Sequence, residues 1–144
     1  MRRSLSLLGI LLVLIGCDPS PPAALPQAGQ WRLINYWALW CTPCREEIPE
    51  LNDLDQIQDI SVFGVNYDGK TGTDLEAQRL ELGITFPALA TDPATLLGIS
   101  RPRVLPTTLI VNPEGDWVES LTGPQTAASI TSALARLGRE KPTI

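Results

Sequence analysis

Two cysteines, Cys41 and Cys44, stand two residues apart in Trp40-Cys41-Thr42-Pro43-Cys44. They follow the apolar run Leu33-Ile34-Asn35-Tyr36-Trp37-Ala38-Leu39 and lead straight into a helical pattern, so the dithiol falls where a strand hands over to a helix. A helix N-terminus carries roughly half a positive charge, which stabilises a thiolate. A thiolate is the species that attacks a disulfide, and thiol–disulfide exchange is the chemistry this spacing points to.

The same pair has rival uses. Zinc asks for about four ligands, and the chain has no histidine and only one further cysteine, Cys17. A c-type haem site needs a histidine directly after the second cysteine; Arg45 stands there. A purely structural disulfide across two residues closes so small a loop that it stabilises weakly on loop-entropy grounds. A Cu(I) carrier would suit soft thiolates, but Met1 is the only methionine. No metal and no cofactor is expected beyond a redox-active Cys41–Cys44 disulfide.

The positioning elements read as follows. Trp31 to Leu39 is a buried strand, interrupted by Asn35. Pro43 to Gln58 is a helix, with Pro43 in the first turn, where no amide donor is needed. Pro49 should kink or split it. Ser61 to Tyr67 is a second strand, Asp74 to Leu82 a helix ended by Gly83, Phe86 to Leu89 a short extended piece, and Asp92-Pro93 the start of a short helix ending near Gly98. Thr107 to Val111 and Trp117 to Leu121 form a hairpin about the turn Asn112-Pro113-Glu114-Gly115. Gln125 to Leu137 closes the chain as an amphipathic helix with Ile130, Leu134 and Leu137 on one face. Parallel crossovers with one terminal hairpin make an α/β fold, a mixed sheet with helices on both faces.

The N-terminal end reads as an export signal. A positive head, Met1-Arg2-Arg3, precedes an apolar run from Leu5 to Gly16 that is shorter than the roughly 20 residues a membrane-spanning helix needs. It ends in Leu14-Ile15-Gly16-Cys17, which resembles the bacterial lipobox, a pattern that implies diacylation of Cys17 and removal of residues 1–16. Two acyl chains anchor firmly where one does not. Asp18, next in line, resembles the signal that retains lipoproteins in the inner membrane of two-membrane hosts. Lipidation would account for the odd cysteine, and export implies an oxidising compartment. Residues 17–30, with Pro19, Pro21, Pro22 and Pro26, read as a tether reaching on the order of 40 Å, and residues 31–144 as one domain. Loss of Arg2 and Arg3 with the signal takes the net charge from −5 to −7, with no basic run, which argues against nucleic acid as a partner.

Asn35-Tyr36-Trp37-Ala38-Leu39-Trp40-Cys41-Thr42-Pro43-Cys44 resembles the active-site segment of the thioredoxin superfamily, and more closely that of its TlpA/ResA-like branch of membrane-anchored thiol–disulfide oxidoreductases. Arg45-Glu46-Glu47-Ile48-Pro49, Ile84-Thr85-Phe86-Pro87, Leu105-Pro106-Thr107-Thr108 and the Ile110 to Gly115 turn continue the likeness. It implies a thioredoxin-like fold, Cys41 as the exposed nucleophile, Cys44 as the buried resolving thiol and Pro106 as a cis-proline opposite them. It implies a substrate face of Trp40, Thr42, Pro43, Leu105 and Pro106, with Leu105's backbone pairing to a bound peptide.

Glu47, one turn beyond Cys44, would accept a thiol proton or raise a thiol pKa; the plainer reading is a first-turn acid favoured by the helix dipole. Glu46, Glu50 and Arg45 read as solvated surface charges, Trp37 as core, and Trp40 as packed beside the dithiol. Thioredoxins carry a buried aspartate where this chain has Asn35, and an amide does not shuttle protons at neutral pH. Relatives often have an N-terminal hairpin that the Pro-rich stretch does not readily supply. The expected activity is reduction of disulfides in envelope proteins, apocytochrome c among them, with electrons from a membrane thiol carrier. Oxidase or isomerase activity on the same fold is the alternative.

Overall fold

The computed structural model describes residues 24–140. The expected signal peptide over 1–16, Cys17 with its lipidation, and the tether as far as residue 23 lie outside the described residues. In chain order the elements are β1 (Trp31–Trp37), α1 (Thr42–Leu54), β2 (Ile60–Asn66), α2 (Gly72–Leu82), β3 (Thr107–Val111), β4 (Trp117–Thr122) and α3 (Ala127–Arg136). The sheet order is β2-β1-β3-β4. β1 pairs parallel with β2 and antiparallel with β3, and β3 pairs antiparallel with β4. This is the mixed sheet with a terminal hairpin that the strand and turn signals predict.

Every residue of β1 is buried, because both faces of the central strand are covered. Leu33 and Trp37 join Ile48, Leu51 and Leu54 of α1 and Ile130, Ala133 and Leu134 of α3 in the larger core cluster, which also takes in Cys41 and Cys44. Ile34 and Tyr36 alternate to the other face and pack with Val65, Leu109 and Val111. That second face is roofed by Leu25, Leu89, Leu97, Ile99 and Leu105 from irregular segments. The stretch after Asp92-Pro93 makes hydrogen-bonded turns, Leu97 N–H to Pro93 O and Ile99 N–H to Ala94 O, rather than a regular helix. It is too short to repay helix nucleation and is stopped by left-handed Gly98.

α1 runs unbroken through Pro49. Pro49 removes one amide donor, but Ile48, Leu51 and Leu54 around it are all buried and hold the helix to the sheet. The helix stops at Leu54, earlier than the apolar stripe suggests, because Asp55 caps it and turns its Oδ1 to accept the Val62 N–H at 2.7 Å. α3 begins at a capping box in which Thr126 and Ser129 exchange bonds. Residues 25–30, the end of the stretch expected to be tether, sit on the domain: Leu25 packs on the second cluster, and the Gly29 N–H donates to Pro113 O at 3.1 Å.

Candidate active site

Cys41 is the N-cap of α1, in extended backbone, and Pro43 sits within the first two helical positions. The Cys44 N–H donates to Cys41 Sγ at 3.2 Å. A helix-start amide is thus aimed at the sulfur that would carry charge, the local condition that lowers a thiol pKa. Cys41 and Cys44 are joined as a disulfide. Cys44 is fully buried and Cys41 keeps only 4% of its surface, so the cysteine expected to be exposed is the less buried of two buried ones. Thr42 and Pro43 between them are exposed.

The Leu105–Pro106 bond is cis. Tyr36 pairs with Thr107, the residue after Pro106, so this bond lies at the end of β1 that leads into the dithiol. Neighbouring backbone groups are already used: Pro106 O accepts from Gly123 N–H at 2.9 Å and Val104 O from the Thr107 hydroxyl at 2.8 Å. Among the described residues the N–H and C=O of Leu105 have no such partner, which leaves them free to pair with an extended peptide.

Glu47 is 1% exposed and faces the interior. Its Oε1 accepts from Asn35 Nδ2 at 2.6 Å and its Oε2 from the Gln125 N–H at 2.9 Å. Asn35 Nδ2 also donates to Thr108 Oγ1 at 3.0 Å; the two residues stand directly opposite each other in the β1–β3 register. Burial raises the Glu47 carboxyl to about 7, against the Gln125 and Asn35 bonds that favour its charge. A group titrating there can exchange protons at neutral pH. Glu47 is not the first-turn acid of the plainer reading: α1 begins at Thr42 and has no acidic residue in its first turn.

The model of the AhpC/TSA family matches residues 23–119, more than half of the chain. The chain belongs to this family. Among its relatives are the thiol:disulfide interchange protein HelX of Rhodobacter capsulatus, 33% identical over 107 residues covering 74% of this chain and 60% of that protein. The thiol-disulfide oxidoreductase ResA of Geobacillus kaustophilus is 30% identical over 105 residues, 71% of this chain and 60% of that one. The chain thus spans about 60% of the length of these curated relatives, and it groups with the TlpA/ResA-like proteins. StoA from Bacillus subtilis superposes with a TM-score of 0.59 at 23% identity, covering 74% of this chain and 84% of that one. A thioredoxin-related protein from Neisseria meningitidis serogroup B superposes at 0.60 with 22% identity, covering 83% and 93%. These two likenesses establish a thioredoxin-like fold.

In this AhpC/TSA-family domain the remaining side chains divide. Trp37 is fully buried as expected. Trp40 is 65% exposed, and its indole N–H donates to Asp68 Oδ2 at 3.0 Å and Oδ1 at 3.2 Å. A carboxylate within reach of the only polar atom on the ring draws it toward the loop after β2. Arg45 donates to Leu39 O at 2.9 Å and lies 3.6 Å from Glu81, at the surface. Glu50, expected to be solvated, accepts from the Ala127 N–H at 2.7 Å, so two carboxylates of α1 bind amides where α3 begins. The sequence reading missed Asp68, Thr108 and Gln125 as partners of the site. Thr108 alone carried a signal, as one of the two threonines that open an otherwise apolar strand.

Proposed function

We propose that this chain is a thiol–disulfide oxidoreductase that reduces disulfides in exported proteins, with the Cys41–Cys44 pair as its redox centre and no other cofactor. The observation that supports it best is the placement of Cys41 at the cap of α1 with the Cys44 amide directed at its sulfur. In the reduced protein the Cys41 thiolate attacks a substrate disulfide, forming a mixed disulfide and expelling the first substrate thiolate. Glu47, as a carboxylate, takes the proton of Cys44. The Cys44 thiolate then attacks Cys41 Sγ and expels the second substrate thiolate. The substrate gains two electrons, and the protein is left as the disulfide described above. An external dithiol returns those electrons.

Exposed Trp40, Thr42 and Pro43 and the free backbone of Leu105 beside Pro106 form the face on which the substrate chain lies. A lipid on Cys17 would hold the domain at the outer side of the cytoplasmic membrane, within reach of a membrane thiol carrier and of substrates such as an apocytochrome c before haem attachment. The test is trapping. The full chain carrying Cys44→Ser, mixed with an oxidised two-cysteine polypeptide, should accumulate a covalent adduct through Cys41 that dithiothreitol releases, and Cys41→Ser should give none. Equal adducts from both variants, or no disulfide reduction by the unaltered chain, would overturn the proposal.

A further inference from the structure

Asn35 occupies the middle of a closed polar cluster in an otherwise apolar core. Asn35, Glu47 and Thr108 are all essentially without solvent exposure. Asn35 Nδ2 spends both of its hydrogens, one on Glu47 Oε1 at 2.6 Å and one on Thr108 Oγ1 at 3.0 Å. Asn35 Oδ1 is buried and has no partner. A buried acceptor left idle beside a carboxyl group calls for an explanation.

A carboxylate can only accept hydrogen bonds, and a neutral carboxylic acid also has one to donate. A side-chain amide turned by 180° about its last bond presents an acceptor where it had presented a donor. Turned this way, Asn35 Oδ1 would receive the Glu47 Oε1–H. The Thr108 hydroxyl accepts from Nδ2 in one orientation and donates to Oδ1 in the other, so it serves both equally. Each orientation leaves one amide atom idle, Oδ1 in the first and Nδ2 in the second, so this penalty does not decide between them. The Gln125 N–H stays on Oε2 throughout.

We propose that Asn35 is a positioning residue for Glu47, turning its amide over as the proton arrives and leaves so that the carboxyl group is held in place in both states. The proposal rests on the reading of Glu47 as the proton acceptor for Cys44. An aspartate at this position would instead put a second carboxyl in hydrogen-bond contact with the first. The groups facing Glu47 from β1, β3 and the turn before α3 are Asn35, Thr108 and the Gln125 amide, all neutral, and α3 contributes Ile130, Ala133 and Leu134 to the packing. On α1 itself they are Cys44, one turn back, and Glu50, whose carboxylate is occupied by the Ala127 N–H.

The experiment follows two nuclei in the unaltered full chain by NMR across pH 5–9: the Glu47 side-chain carboxyl carbon and the Asn35 side-chain NH₂ group. The inference expects the Asn35 signals to move with the same midpoint as Glu47. Asn35 signals that stay still while Glu47 titrates overturn it. A second arm uses Asn35→Leu, which removes both the bond to the neutral acid and the stronger, charge-assisted bond to the carboxylate. The acidic limb of the pH–rate profile for disulfide exchange should move up by about one pH unit, and an unmoved limb in a folded variant counts against the inference. If Glu47→Gln leaves that limb where it is, the catalytic reading of Glu47 falls, and the wild-type NMR titration still decides whether Asn35 follows its proton. If Asn35→Leu does not fold, the NMR titration decides alone.

Discussion

The Cys44 N–H lies 3.2 Å from Cys41 Sγ. That contact gives Cys41 a helix-start amide to hold its charge, which supports the role of nucleophile proposed for it. Cys41→Ser should therefore abolish disulfide exchange. Cys44→Ser should still complete the first attack and stop at the mixed disulfide, with turnover reduced at least 100-fold, on the order of 3 kcal/mol in barrier. Rapid-quench separation of the adduct checks the difference.

Glu47 makes folding stability depend on pH with a definite sign. Its carboxyl is raised from an ordinary 4.5 to about 7 in the folded state. Between those values the unfolded chain has released the proton and the folded chain still holds it. The contribution is full below pH 4.5 and is lost as pH rises through about 7. Glu47→Gln removes this dependence. Relative to the unaltered oxidised protein, the variant should gain about 3 kcal/mol between pH 4.5 and pH 8, read from urea midpoints. A difference between the two proteins that does not vary with pH would contradict a Glu47 carboxyl raised by folding.

Gly64 is a glycine for reasons of space. A Cβ there would sit 2.8 Å from Trp37 Nε1 and 3.2 Å from Phe86 Cε2, both on fully buried rings. The flanking backbone is pinned as well, with Gly64 N–H on Pro87 O at 2.8 Å and Leu89 N–H on Gly64 O at 2.9 Å. Gly64→Ala should cost about 1–3 kcal/mol in a denaturant titration.

Arg101 fastens the segment that leads to Pro106. Its Nε donates to Asp92 Oδ2 at 2.6 Å, its Nη2 to Tyr67 O at 2.8 Å, and the guanidinium lies 4.0 Å above the Tyr67 ring. The Tyr36 hydroxyl donates to the other Asp92 oxygen at 2.6 Å. Burial opposes charge on Asp92, but its bonds to Tyr36, the Ala94 N–H and Arg101 hold the carboxyl below its usual range. Arg101→Ala should lower stability by about 1–2 kcal/mol. It should also raise amide hydrogen exchange across residues 93–105, with the exchange of β1 amides unchanged.

What the sequence showed and what it concealed differ in range. The dithiol at a strand-to-helix boundary, the hairpin about Asn112–Gly115 and the closing helix all rest on local patterns, and each stands in the structure within a few residues. Glu47 stood out by its spacing from Cys44, but its environment did not. It is assembled from Asn35 on β1, Thr108 on β3 and a backbone amide before α3, between 12 and 78 residues away. Asn35, which reads as a lost proton carrier, is the residue that bonds the carboxyl. The partner of Trp40 was hidden for the same reason: Asp68 lies in a loop 28 residues on. Pro49 does not split α1, since local propensity yields where three buried apolar residues anchor the helix.

The reduction potential of the Cys41–Cys44 pair tests the central claim most directly. It would be measured by equilibrating the full chain with dithiol buffers of known potential and quantifying free thiols. A reductase of exported proteins predicts a value near or below about −220 mV, with the thioredoxin-like reductants. A value near about −120 mV would place the pair among the strong oxidants and contradict the proposed direction of electron flow.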